Sequence, residues 1–170
     1  MSKCSELSLG IFTSSEDTSF TTYASSNPVY SGHPERKVVL LGHIVATKTT
    51  NPVVTDDDMH IPSHADPPNP SFGHKEEGRT VCIHSLAVLP EYQKKGLGST
   101  LMKAYLDRLR HQDVADRAAL LAHGPLIEYY EKFGFVKKGE SKAQFGGGGW
   151  YDMVLDLKAA GGAIGEGDEY

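Results

Sequence analysis

The fold is decided by the stretch Thr80-Val81-Cys82-Ile83-His84-Ser85-Leu86-Ala87-Val88-Leu89-Pro90-Glu91-Tyr92-Gln93-Lys94-Lys95-Gly96-Leu97-Gly98-Ser99. Its apolar, β-branched start predicts a strand, and the proline marks the end of that strand. Gly96 and Gly98 follow in a polar loop, after which apolar residues recur at spacings of three and four and predict an amphipathic helix. This order places backbone N–H groups at a helix N-terminus, where they lack intrahelical partners and the helix dipole favours an anion. The stretch therefore predicts a phosphate-binding turn.

Composition narrows the class of protein. The 170 residues fit one domain, and the net charge of -5 argues against a general nucleic-acid binder, which needs a basic face. The sequence has no apolar run long enough to span a membrane and no signal-peptide core at its N-terminus. Its two cysteines, Cys4 and Cys82, do not make a disulfide framework. We expect a cytoplasmic protein that binds neither nucleic acid nor membrane.

The remaining pattern predicts one α/β domain over residues 1–157, with a flexible tail at 158–170. Two strands, Leu7–Phe12 and Lys37–Lys48, are expected to pair antiparallel, and long loops are predicted at 14–36 and 49–78. After the helix we predict a strand at 118–122, a second helix opened by Gly124-Pro125, a strand from Phe135 and a last strand at 150–157. Strands separated by helices indicate a parallel portion with antiparallel edges.

The second long loop contains possible metal ligands. His60 and His64 lie four residues apart beside the run Asp56–Asp58. Pro62 lies between the histidines, so a helix that would bring them to one face is not expected. A mobile, solvated loop without a metal is the favoured interpretation.

Two longer strings carry a family resemblance. Leu86-Ala87-Val88 followed by Gln93-Lys94-Lys95-Gly96-Leu97-Gly98-Ser99 resembles the acetyl-CoA signature of the GNAT N-acetyltransferases, and residues 126–135 resemble their second signature. Three segments, at 4–10, 83–88 and 129–135, are similar to the arylalkylamine (serotonin N-acetyltransferase-like) branch. The resemblance covers roughly residues 4–13 and 37–157, without the two long loops.

This resemblance implies a fold, a co-substrate and a reaction. The fold would be the GNAT fold, a mixed central sheet flanked by helices, and an amine would attack acetyl-CoA directly, with no metal. Backbone groups of Leu86, Ala87 and Val88 would align the pantetheine arm, and amides of the loop would hold the pyrophosphate, the loop residues being Lys94, Lys95, Gly96, Leu97, Gly98 and Ser99. The acceptor would be a small primary amine, either an arylalkylamine or a polyamine. A protein or peptide acetyltransferase and a catalytically weak acyl-CoA-binding module are the alternatives.

The reaction needs a base, because an alkylamine with a pKa near 10 arrives as a cation. His84 is the candidate base, and a hydrogen-bonded core histidine is the alternative interpretation. Tyr130 is the candidate acid beside the CoA sulfur, as the resemblance implies, with a core tyrosine as the alternative. His123, after the predicted strand at 118–122, is a reserve base.

The sequence departs from the branch at two places. The vertebrate branch has a second histidine two residues before the first, where this chain has Cys82. A buried cysteine is usually inert packing, although an acetylated nucleophile is conceivable. In the family, the segment at Cys4–Gly10 follows a strand and two helices, whereas only three residues precede Cys4 here, so we expect a fold without those elements. We therefore expect an exposed apolar patch beside Leu7–Phe12, and possible self-association there.

Overall fold

The computed structural model describes residues 7–15, 29–30, 37–60 and 71–158. Within them, the strands are β1 (Leu9–Ser15), β2 (Val29–Tyr30), β3 (Lys37–Thr49), β4 (Thr80–Val88), β5 (Arg117–Ala122), β6 (Val136–Glu140) and β7 (Tyr151–Asp156). The α-helices are α1 (Leu97–Gln112) and α2 (Ile127–Glu131). The hydrogen-bonded strand order is β1-β3-β4-β5-β7-β6, with β2 also on β3. β4 and β5 are parallel, whereas β1 on β3, β7 on β5 and β6 on β7 are antiparallel, which confirms the predicted α/β arrangement.

The chain forms two compact units. The first takes in Met1–Ala46 and Ser85–Tyr105, and the second takes in Thr47–His84 and Leu106–Tyr170. The boundaries fall inside β3, β4 and α1, so these three elements contribute residues to both units. The single domain predicted over residues 1–157 stays a prediction.

In the first unit, β1 pairs with β3 in the register Leu9↔Ile44, with an irregularity between Ile11 and Phe12. The first half of α1 buries Leu101, Met102 and Tyr105, three of the residues whose spacing predicted the helix. The Tyr105 hydroxyl donates a hydrogen bond to the Leu7 carbonyl oxygen over 2.8 Å.

The burial of Leu7 differs from the exposed apolar patch that was expected beside Leu7–Phe12. Leu7 precedes β1 and is only 1% exposed, so the patch predicted beside Leu7–Phe12 is wrong at its first residue. Phe12 is 52% exposed and lies at the register irregularity of the strand. Self-association through this strand stays a prediction.

In the second unit, β5 is the central strand of a small buried layer. It runs between β4 and β7, and Ala118, Ala119 and Leu120 are buried along it. Met153 and Leu155 of β7 are buried too, as are Leu106 and Leu109 from the end of α1. A strand that is covered on both faces reads as a continuous apolar run, which is why residues 118–122 could be assigned from sequence.

The loop predicted at 49–78 has no helix or strand at 50–60 and 71–78, but it is not solvated throughout, and its mobility stays a prediction. Val54 is buried against Cys82 and Ala119. Asp58 is only 2% exposed, and its Oδ2 accepts hydrogen bonds from the Thr55 N–H, the Thr55 hydroxyl and the Asn51 side-chain amide, at 2.9, 2.8 and 3.2 Å. These three donors offset the cost of burying a carboxylate, and they hold the chain in a tight turn.

The predicted histidine pair of this loop falls partly outside the described residues, since His64 does. His60 stacks on Phe72, with ring centroids 4.2 Å apart. In the part of the chain that the structure describes, no three His, Cys, Asp or Glu side chains are grouped to hold a metal ion. Most of the loop predicted at 14–36 and the tail after Lys158 also lie outside the described residues.

Candidate active site

The turn between β4 and α1 lies in the first unit. Pro90 ends β4 and opens a 3-10 turn over Pro90–Tyr92. The Leu89 N–H donates to the Leu41 carbonyl over 2.8 Å, and the Gln93 side-chain amide donates to the Val88 carbonyl over 2.9 Å. These two hydrogen bonds, one from the residue before Pro90 and one from the residue after the 3-10 turn, hold the end of β4 and the start of the loop in place.

The loop itself presents backbone donors. Lys94 and Gly96 have φ values of 58° and 84°, the left-handed region that favours glycine, and a Cβ at Gly96 would meet nothing within 4 Å. The Thr100 N–H bonds back to the Gly96 carbonyl over 2.9 Å. The amides of Leu97, Gly98 and Ser99 precede that bond and have no carbonyl of the helix to bind. Open space beside Gly96 and a helix N-terminus together fit an anionic ligand, and the binding of one stays a prediction.

The lysines of this loop are exposed. Lys94 and Lys95 both lie at the surface, and the Lys95 ammonium is 5.3 Å from the centre of the Tyr92 ring. The two positive charges add to the helix dipole at the same turn. A doubly charged pyrophosphate is the kind of group that such a turn binds.

Leu86, Ala87 and Val88 form the half-buried end of β4. Gly42 of β3 packs against them so closely that a Cβ there would be 2.8 Å from the Ala87 carbonyl oxygen and 3.2 Å from a Val88 methyl group. Glycine at position 42 therefore fixes where the backbone of Ala87 lies. The Val88 carbonyl already accepts the Gln93 amide, so its unused hydrogen-bonding capacity is reduced.

In the second unit, His84 lies where β4 leaves its parallel neighbour. The β4–β5 ladder runs from Thr80↔Arg117 to Cys82↔Ala119, and His84 is two residues beyond it. Its Nε2 is 2.7 Å from the Thr47 hydroxyl oxygen. Burial lowers the pKa of His84 from its ordinary value of 6.5, while the negative charge of Asp58 acts in the opposite direction. The imidazole is consequently neutral at pH 7, the state that a proton acceptor requires.

Cys82 is fully buried, at 0% exposure, between Val54 and Ala119. Desolvation and, secondarily, the charge of Asp58 strongly raise the pKa of the thiol. A protonated, enclosed thiol is a poor nucleophile, so the geometry favours the packing interpretation of this residue.

Tyr130 lies on α2. The predicted helix opened by Gly124-Pro125 begins as a 3-10 turn over Gly124–Leu126, and only Ile127–Glu131 is α-helical. Leu126 lies in the 3-10 turn and is 47% exposed. Burial, and then the neighbouring Tyr129, raise the pKa of Tyr130. Its hydroxyl therefore keeps its proton at neutral pH.

His123, the reserve base, is exposed at the end of β5. Its ring stacks on Trp150 with centroids 3.7 Å apart, and its Nδ1 lies 3.2 Å from the Gly149 carbonyl oxygen. A carbonyl can only accept, so Nδ1 carries the hydrogen of that bond and Nε2 is the atom that could accept a proton.

Two residues that act on His84 were not predicted. Thr47 contacts it from β3, 37 residues away along the chain, and Asp58 acts on its charge from the loop. For Asp58 a signal existed, because Thr55-Asp56-Asp57-Asp58 has the Thr-x-x-Asp spacing of a self-bonded turn. For Thr47 there was none, since the register of two strands separated by a long loop cannot be taken from sequence.

Comparisons with known proteins address the fold and the family. The family model described as acetyltransferase (GNAT) family matches residues 15–135. Serotonin N-acetyltransferase of Mesocricetus auratus is 34% identical over 85 residues, which cover 50% of this chain and 41% of that protein. The same enzyme of Macaca mulatta is 36% identical over 66 residues, covering 39% of this chain and 32% of that protein. The chain thus spans less than half the length of these curated relatives.

A solved structure shows the same fold. The loading GNATL domain of CurA from Lyngbya majuscula has a TM-score of 0.53 at 15% sequence identity, with 71% of this chain and 72% of that chain covered. Among the described helices, none is long and apolar enough to cross a membrane. The predicted cytoplasmic location stays a prediction.

Proposed function

Because this chain belongs to the acetyltransferase (GNAT) family, we propose that it is an acetyl-CoA-dependent N-acetyltransferase. Its acceptor is a small primary amine, of the arylalkylamine or polyamine class. The similarity to serotonin N-acetyltransferases supports the first class, and the net charge of -5 is compatible with either cation. The observation that carries the proposal is a half-buried, neutral His84 on the strand that leads into the anion-binding turn.

The turn after β4 holds the co-substrate. Amides of Leu97, Gly98 and Ser99, with Lys94, Lys95 and Gly96, bind the pyrophosphate of acetyl-CoA. Backbone groups of Leu86, Ala87 and Val88 align its pantetheine arm. Acetyl-CoA supplies an activated acetyl thioester, and the remaining chemistry consists of proton transfers.

His84 removes the proton that keeps the amine from attacking. The amine nitrogen then bonds to the acetyl carbon, and the bond from that carbon to the CoA sulfur breaks. Tyr130 gives its proton to the departing thiolate, and the second proton that the attacking nitrogen loses as it becomes the amide restores the Tyr130 hydroxyl. The raised pKa of Tyr130 keeps that proton in place before the reaction, and the lowered pKa of His84 keeps its nitrogen available.

The test is an amine panel followed by release of the CoA thiol. Arylalkylamines, polyamines and N-terminal peptides are compared at saturating acetyl-CoA. Turnover of a small primary amine is the expected result. Preferential turnover of peptides would show that the acceptor is a peptide and not a small amine. A rise in melting temperature with acetyl-CoA, without turnover of any acceptor, would indicate a catalytically weak acyl-CoA-binding module.

Two variants test the assigned roles. We expect His84→Ala and Tyr130→Phe each to lower kcat by about 10²–10⁴-fold, with acetyl-CoA affinity unchanged, because general acid and base groups contribute on that scale. His111→Ala, an exposed histidine on α1, and Tyr129→Phe, the adjacent tyrosine, are the matched controls. Wild-type turnover at neutral pH in His84→Ala would remove it from the mechanism.

A further inference from the structure

We propose that Thr47 is the positioning residue that holds His84 in the Nε2–H tautomer and so leaves Nδ1 free to accept the amine proton. The proposal rests on the proposed function for its kinetic part, whereas the tautomer itself can be measured on the resting protein. It assigns a role to a β3 side chain that lies 37 residues from His84 in sequence.

The contact is short and comes from a rigid side chain. The Thr47 hydroxyl oxygen and the His84 Nε2 are 2.7 Å apart, well within hydrogen-bond distance. Threonine is branched at Cβ, so its χ1 is restricted on a strand. Both residues belong to the same compact unit, and both are half-buried. The hydroxyl is therefore held in place beside the ring.

The direction of this hydrogen bond decides which nitrogen can act as the base. A neutral imidazole has one N–H and one lone pair. If Nε2–H donates to the Thr47 oxygen, the lone pair is on Nδ1, for which the described residues offer no hydrogen-bond partner. If the hydroxyl donated to Nε2 instead, Nδ1 would carry the hydrogen and neither nitrogen would be available. Only the first arrangement leaves a ring nitrogen with a lone pair open to the amine itself.

The same bond supports the charged state that follows proton transfer. Both nitrogens of an imidazolium are donors, so the Thr47 oxygen still accepts from Nε2. Among the described residues, the charged group that acts on His84 is Asp58, whose carboxylate favours the cation. Cys82, two residues away on β4, contributes no charge, because burial raises the pKa of its thiol.

This chain has Cys82 where the resembling branch has a second histidine, so Thr47 is the residue that positions His84 here. Cys82 is buried against Val54 and Ala119, and its side chain is committed to packing. The ring of His84 needs one partner to fix its tautomer, and β3 supplies that partner instead of β4.

The kinetic test uses an isostere and a rescue. Thr47→Val keeps the shape and removes the oxygen, Thr47→Ser keeps the oxygen, and Thr50→Val is a control at an exposed position nearby. We expect Thr47→Val to lower kcat by roughly 10- to 100-fold, the range for a hydrogen bond to a charged group, with the KM for acetyl-CoA unchanged. The acid limb of its pH profile should move to lower pH, since the imidazolium loses an acceptor. Thr47→Ser should restore both quantities to near the wild-type values.

The spectroscopic test does not depend on turnover. Nitrogen-15 NMR of the histidine side chains, with the His84 signals assigned by their loss in His84→Ala, reports which nitrogen is protonated. We expect the Nε2–H tautomer in the wild type and in Thr47→Ser, and a mixture of tautomers in Thr47→Val. An Nδ1–H tautomer in the wild type, or a Thr47→Val protein with unchanged tautomer and unchanged kcat, would overturn the proposal. Absence of turnover with every amine would refute the proposed function alone, and the NMR result would still decide the role of Thr47.

Discussion

Gly42→Ala should weaken acetyl-CoA binding through the backbone of Ala87. The added methyl group would lie 2.8 Å from the Ala87 carbonyl oxygen, and carbon–oxygen contacts begin at about 3.3 Å. The strand end must therefore move by roughly 0.5 Å, since the obstacle is backbone rather than the tip of a side chain. Overpacking of this kind costs about 1–3 kcal/mol of stability. Loss of one backbone hydrogen bond to the pantetheine arm costs about 1 kcal/mol more on binding, or about fivefold in Kd.

The assay is calorimetric titration with acetyl-CoA, paired with thermal unfolding of the same samples. Gly124→Ala is the matched control, because a Cβ there meets nothing within 4 Å and its φ is not in the left-handed region. We expect the control to bind like the wild type. If Gly42→Ala loses stability but binds acetyl-CoA with wild-type affinity, the Ala87 backbone does not contact the pantetheine arm, and the assignment of Leu86, Ala87 and Val88 falls with it.

Three further predictions follow from burial. Because burial lowers the pKa of His84, the acid limb of kcat/KM should lie below pH 6.5. Folding stability should also decline as the pH falls below about 6.5, because there the unfolded chain binds a proton that the folded chain does not. His84→Gln should abolish that decline, and an unchanged decline in the variant would contradict the lowered pKa. Tyr105→Phe leaves the buried Leu7 carbonyl without its donor and should cost about 1–3 kcal/mol in urea unfolding, so an unchanged midpoint would refute the contact. In a Cys4→Ser background, Cys82 should resist iodoacetamide at pH 8 until the protein is unfolded, and rapid labelling of the native protein would show an accessible thiolate.

The sequence predicted the strand–turn–helix unit because every signal in it is local. β4 covers Thr80–Val88 and α1 begins at Leu97, as the β-branched run and the spacing of apolar residues indicated. Pro90, Gly96 and Gly98 act within a few residues of where they stand in the chain. A helix N-terminus needs no distant contact to present its amides, so the turn proposed to bind an anion could be placed before any fold was known.

The burial of Asp58 in the loop could not be predicted in this way, because it depends on which donors surround one carboxylate, and the Thr-x-x-Asp spacing indicates a turn without indicating burial. A run of three aspartates is typical of a solvated surface, and Asp57 is exposed as that interpretation expects. Asp56 is exposed too, but its carboxylate accepts hydrogen bonds from the backbone N–H groups of Gln144 and Phe145 at 2.9 and 2.7 Å. Asp58 differs because Thr55 and Asn51 supply three donors to one oxygen, which makes burial of a carboxylate tolerable. Composition does not distinguish an aspartate with three donors from one with none.

Dependence on contacts between distant segments also explains why the sequence indicated His84 as a candidate but did not indicate Thr47. The position of His84 on β4 depends on alternation within one strand, whereas its chemistry depends on what the adjacent strand places beside Nε2. A slip of one residue between strands would replace Thr47 by Ala46 or Lys48 and would exchange a hydroxyl for a methyl group or an ammonium. In the proposed mechanism, the residue type at position 84 therefore supplies the base, and the register of β3 decides which of its nitrogens accepts the proton.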